Sequence, residues 1–194
     1  GSFAASQVAP KLRFRVPAED DPEVNIRLKI EINTSEIEAF DGPVLVDYSV
    51  DNPWFSGSTK IATFSPEELI ATKLRAFLQR DKGRDLFDLD HALTVLPDLD
   101  IERAISIFGR YLDIRGHAIS RSDAEMRMLA KFGKPSLLGD IHALLTPDAA
   151  DHLDEAAGQA AFVRVFKLFI EKMPGQRWAR TEDVAQELGL AEHL

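Results

Sequence analysis

Ser65-Pro66-Glu67-Glu68-Leu69-Ile70-Ala71-Thr72-Lys73-Leu74-Arg75-Ala76-Phe77-Leu78-Gln79-Arg80, then Asp81-Lys82-Gly83, then Arg84-Asp85-Leu86-Phe87-Asp88-Leu89: within this stretch one helix starts and stops and a second begins. Ser65 is placed to cap, Pro66 suits the first helical position, and Glu68 completes the capping-box spacing near the positive end of the dipole. Gly83 breaks the run, and Pro97 stops the second helix near Leu96. On a wheel advancing about 100° per residue from Leu69 at 0°, Arg80 falls at about 20°, Lys73 at about 40°, Phe77 at about 80°, Ile70 at about 100° and Leu74 at about 140°. The reading puts Lys73 and Arg80 inside the apolar stripe and Arg75, at about 240°, outside it. A buried cation is costly without a partner. Asp85 and Asp88, one turn apart on the second helix, are at hand. Two readings stand side by side. One is a helical corner tied by Lys/Arg–Asp pairs, with no ligand. The other is a phosphate-binding cluster with Arg84 at a helix entrance.

Upstream the pattern has period two. Lys11 to Val16 and Ile26 to Ile32 alternate polar and apolar residues across the turn-rich stretch 17–23, which predicts an antiparallel pair. Runs at Val44–Tyr48 and Thr59–Phe64 read as further short strands, with Gly57-Ser58 as a loop before the second. Glu31 sits between Ile30 and Ile32, on the face that Lys29 shares. A strand-borne carboxylate makes a rigid Mg²⁺ ligand, and it equally fits the solvent side of an amphipathic strand. Downstream, helices are expected at about 98–114, 121–132, 136–145, 150–173 and 181–190. The 150–173 helix shows an apolar stripe of Phe162, Phe166, Phe169, Ile170 and Met173. The expected class is α+β: a small, mostly antiparallel sheet over 3–64 leading into a helical bundle over 65–194.

Composition bounds the function. The 194 residues are 45% apolar and 28% charged, an ordinary globular balance. There is no cysteine, which excludes thiol catalysis and Cys-ligated zinc. No run reaches the roughly 18 apolar residues of a membrane span. With 32 acids against 23 bases the net charge is −9, unlike a general nucleic-acid coat protein. A local basic patch can still handle phosphates, so the distribution of charge matters more than its sum. The five histidines show no metal-ligand spacing, and the acidic stretch 148–155 reads as a helix start. Trp54 and Trp178 are expected to anchor packing. Gly1-Ser2 reads as the remnant of a cleaved tag, outside the fold.

The strand Leu28-Lys29-Ile30-Glu31-Ile32, with Pro66-Glu67-Glu68-Leu69, Lys73, Ala76, Arg80 and Arg84-Asp85-Leu86-Phe87-Asp88-Leu89, resembles the AbiEii/AbiGii nucleotidyltransferase toxin family. The resemblance covers about residues 28–32 and 60–96, and its second block is the more specific. It implies part of a polymerase-β-like nucleotidyltransferase core followed by a helical portion. It also implies a cytoplasmic toxin of a phage-defence toxin–antitoxin pair, using Mg²⁺ and a nucleoside triphosphate. A tRNA acceptor and a cognate antitoxin are the partners it brings. Glu31 would match a metal-site carboxylate. Lys29, Lys73, Arg80 and Arg84 would match basic residues near the triphosphate, and Asp85 and Asp88 an acidic pair with a catalytic or orienting role. The family pattern places a Gly-Gly or Gly-Ser turn and an Asp-x-Asp pair ahead of the Glu31 strand, and this sequence has neither there. The expectation is therefore a piece of a longer protein that cannot transfer nucleotides by itself. The other expectation is a non-catalytic module that binds nucleotide, RNA or antitoxin.

Overall fold

The computed structural model describes residues 2–4, 10–32, 39–134, 137, 141 and 154–194. It forms two compact units, Gly1–Gly42 and Pro43–Leu194. The class is α+β, as expected from the sequence.

The first unit is a three-stranded antiparallel sheet in the order β1 (Ser2–Ala4), β2 (Lys11–Pro17), β3 (Asn25–Glu31). The expected pairing of the two alternating runs is present, with Phe14 opposite Leu28 and Arg13 opposite Lys29. Ser2 was set aside as a tag remnant, but it pairs with Arg13 in the ladder, so β1 takes it in. The turn between β2 and β3 is closed by Ala18 N–H donating to the Val24 carbonyl at 2.8 Å, and Asp21 accepts from Glu23 N–H at 3.1 Å.

The second unit opens with the hairpin β4 (Val44–Asn52) and β5 (Phe55–Thr63). Its turn is Pro53-Trp54, with the Asn52 side chain accepting from Trp54 and Phe55 N–H at 3.0 and 2.9 Å. Two expectations are corrected here. Gly57-Ser58 is not a loop: it lies inside β5, paired with Val50 and Ser49. A Cβ at Gly57 would stand 2.8 Å from the tip of the exposed Phe55 ring, which lies over the glycine. Trp54 is no packing anchor, since it sits at the hairpin tip and is 78% exposed.

The helices are α1 (Pro66–Gln79), α2 (Gly83–Val95), α3 (Ile101–Asp113), α4 (Arg121–Phe132), α5 (Glu155–Val165) and α6 (Thr181–Glu187). Ser65 caps α1 by accepting from Glu68 N–H at 3.2 Å. Asp100 caps α3, Asp154 caps α5, and Ser120 with Asp123 forms a capping box on α4. α5 runs on through a single π turn, Phe166–Ile170. Its stripe is in the core as read: Phe162, Phe166, Phe169, Ile170 and Met173 are all buried. α1 packs against α2, α3 and α4, and the centre is Leu74, Phe77, Leu86, Leu89, Phe108 and Met128 with the α5 phenylalanines. Burying a side chain of this size is worth about 1.5–3 kcal/mol, so this helical core dominates the second unit's stability. Apart from residues 137 and 141, the helix expected at 136–145 lies outside the described residues, as do His142, His152 and residues 148–153. No helix among the described residues is long and apolar enough to cross a membrane.

Candidate functional site

The corner between α1 and α2 brings four of the sequence-predicted residues together. Arg80 ends α1, its N–H donating to the Ala76 carbonyl. Three residues later Gly83 opens α2, which carries Asp85 back beside Arg80. The guanidinium donates from Nε and Nη2 to the two Asp85 carboxylate oxygens at 2.7 Å each. This is a bidentate pair, the strongest ion-pair geometry that arginine makes. The Asp85 side chain is fully buried, whereas Arg80 is 50% exposed. One turn further, Asp88 accepts from Lys73 Nζ at 2.5 Å, with both groups about 40% exposed. Arg84 stands exposed in the first turn of α2.

The sequence reading of α1 had its buried arc about a quarter-turn out of place. Leu69 is exposed, and the buried residues are Glu68, Ile70, Ala71, Leu74, Arg75, Phe77 and Leu78. On the same wheel they span about 80° to about 260°. Lys73 and Arg80 therefore lie at the border of the stripe, and Arg75 and Glu68 lie inside it. Tyr111 of α3 donates its hydroxyl to Glu68 Oε1 at 2.7 Å, and the Arg75 guanidinium stacks 5.2 Å from the Tyr111 ring centre. Packing by three helices widens the arc, so charged residues had to be drawn into it with partners.

Sequence reasoning also missed what holds the corner from behind. Lys131 of α4 donates to the Arg80 carbonyl at 2.7 Å and to Asp81 Oδ1 at 2.8 Å, and Lys134 donates to Asp81 Oδ2 at 2.5 Å. The lysine pair, Lys131 foremost, holds the Asp81 carboxyl down at about 2 from an ordinary 3.8. The signal was legible: Lys131 falls on the same helical face as Ala124 and Met128, where a lysine must have a partner. A further buried carboxylate, Glu125, accepts from Arg121 Nε at 2.7 Å, Trp178 N–H at 2.9 Å and the Thr181 hydroxyl at 2.5 Å, joining α4 to α6.

Glu31 and Lys29 belong to the other compact unit. Glu31 pairs with Lys11 at 3.0 Å across the ladder and with Lys29 at 3.4 Å along its own strand. Hydrogen bonding to Lys11, then to Lys29, lowers its pKa. Its oxygens thus face ammonium groups. Among the described residues no three of His, Asp and Glu gather into a group able to hold a metal. The described residues do not compose a Mg²⁺ site. Asp98-x-Asp100 and Asp88-x-Asp90 supply none either: Asp100 caps α3, and Asp90 pairs with Arg164 at 3.3 Å.

The corner of this α+β chain thus presents two half-exposed cations, each held by a carboxylate. The whole sequence is more specific than the corner. It matches the model of the nucleotidyl transferase AbiEii toxin family, type IV toxin–antitoxin system, over residues 2–182, and the chain belongs to that family. No curated protein and no solved structure matches the chain significantly.

Proposed function

We propose that this chain serves nucleotidyl transfer, in which a nucleoside monophosphate passes from a nucleoside triphosphate to an acceptor such as tRNA. The α1–α2 corner then meets the triphosphate. Lys73, Arg80 and Arg84 are the phosphate-contacting cations of this reading, Asp85 fixes the Arg80 guanidinium, and Asp88 fixes the Lys73 ammonium. The observation that carries it is the family match across nearly the whole chain, supported by two cations that keep about half their surface open while a carboxylate sets their direction. Glu31 and Lys29, in the portion read as 3–64, belong to the other compact unit, and this reading gives them no place in the corner. A cognate antitoxin and a cytoplasmic setting come with the family reading. Mg²⁺ comes with it too.

A second reading has its own observation. Both corner cations are already matched by aspartates, as a non-catalytic binding module or a purely structural corner requires. Titration calorimetry with Mg²⁺-nucleoside triphosphate separates the two. The proposed function expects binding by the wild-type chain, weakened about tenfold or more by Lys73→Ala and by Arg80→Lys, since each removes or misplaces a charge-assisted bond. No binding by the wild type would leave the module reading in place. The sequence has no Asp-x-Asp pair ahead of Glu31, so labelled triphosphate and tRNA are expected to give no transfer with this chain alone. Incorporation would overturn that expectation.

A further inference from the structure

The β2–β3 ladder carries a feature that the nucleotide corner does not use. Its register sets Arg15 opposite Arg27, Arg13 opposite Lys29 and Lys11 opposite Glu31. Directly paired residues share a face of an antiparallel sheet. One face thus holds five cations and one carboxylate, in two rows of three spaced about 7 Å along the strands. Leu12, Phe14, Val16, Ile26, Leu28 and Ile30 take the other face. Arg13, Arg15, Arg27 and Lys29 are exposed. Glu31 serves Lys11 and Lys29. Among the described residues no carboxylate forms an ion pair with Arg13, Arg15 or Arg27. The acids of the connecting turn, Glu19, Asp20, Asp21 and Glu23, lie past the end of the ladder and bound the patch there.

Like charges directly opposite each other destabilise a sheet. Two such pairs side by side, in a chain of net charge −9, work against the fold and concentrate positive potential on one face. Five of the six side chains in the two rows are cationic and none of the six is aromatic, so bases find no stacking platform here. Regularly spaced cations instead suit a regularly spaced polyanion.

We propose that this face docks the phosphodiester backbone of a nucleic acid, with Arg13, Arg15 and Arg27 as sequence-independent phosphate contacts. The proposal leans on the nucleotidyltransferase reading only in making that nucleic acid the acceptor; the binding stands apart from it.

Fluorescence anisotropy of the full chain, with no nucleoside triphosphate, tests it. The probes are a labelled single-stranded RNA, a DNA of the same sequence, and polyglutamate. Nucleic acid binds and weakens with salt. The triple variant Arg13→Ala/Arg15→Ala/Arg27→Ala binds at least about tenfold more weakly, and its salt slope is shallower by about two. Its melting temperature is unchanged or higher, because like-charge opposition has been relieved. Equal binding of RNA and DNA supports a backbone contact alone, and tighter RNA binding supports an RNA backbone. Four results overturn the proposal: no nucleic-acid binding, preference for polyglutamate, full binding by the triple variant, or a clear fall in its melting temperature. Loss of triphosphate binding with RNA binding kept removes the nucleotidyltransferase reading and leaves this surface standing.

Discussion

In the α1–α2 corner each of Asp81, Asp85 and Asp88 meets a cation, and two of the three meet it from a different helix. On the β2–β3 face one carboxylate is shared by two lysines, and three arginines stand in rows. The corner shows charge used to fix geometry: Asp85 is wholly buried and sets the angle between two helices through Arg80. The sheet face shows charge that fixes nothing in the fold. A structural ion pair is read from the stability lost when it is broken. A ligand-facing row is read from affinity lost while stability holds.

Mutations sharpen that contrast, the largest effect first. Glu125→Ala strands Arg121, the Trp178 N–H and the Thr181 hydroxyl in a dry site. It is expected to cost about 3–5 kcal/mol in urea unfolding. Arg80→Ala leaves the buried Asp85 carboxylate without its bidentate partner, and about 2–3 kcal/mol is expected, below the fully buried range because half of Arg80 faces water. Lys73→Ala breaks a pair that is open on both sides, and less than about 1 kcal/mol is expected. If Lys73→Ala proves as costly as Arg80→Ala, the Lys73–Asp88 pair is structural and the phosphate-contacting role proposed for Lys73 fails.

Asp81 supplies a pH test of the same corner. Its folded pKa, about 2, lies below the ordinary 3.8. A depressed carboxyl stabilises the fold above its unfolded pKa, and that stability is lost as pH falls through the folded value. The Asp81→Asn variant should therefore lose less stability than wild type between pH 3.8 and about 2. Acid titration followed by far-ultraviolet circular dichroism reads this directly; parallel acid limbs would show that Lys131 and Lys134 do not tether the turn. The smallest effect is expected on the sheet. Arg27→Ala should change stability by less than about 0.5 kcal/mol, or raise it, because it removes one of two facing arginines.

Much was legible in the residues themselves. Alternation gave the β2–β3 pair, and Ser65-Pro66 with Glu68 gave the start of α1, because both are local rules of backbone geometry. The spacing of Lys73, Arg80, Asp85 and Asp88 put carboxylates within reach of both cations, and the structure decided which takes which. Gly57-Ser58 misled because turn composition is only a correlation, and a glycine beside an aromatic also suits a strand.

The sequence by itself determined the β2–β3 pair, the Ser65 cap of α1, the apolar stripe of α5 and the family motif. The tertiary structure alone decided which arc of α1 is buried, because a helical wheel fixes relative angles and leaves its origin to the neighbours that pack against it. It alone joined Lys131 to Asp81 and Thr181 to Glu125, across 50 and 56 residues. Contacts at that separation arise from packing of the whole core, and no local pattern encodes them.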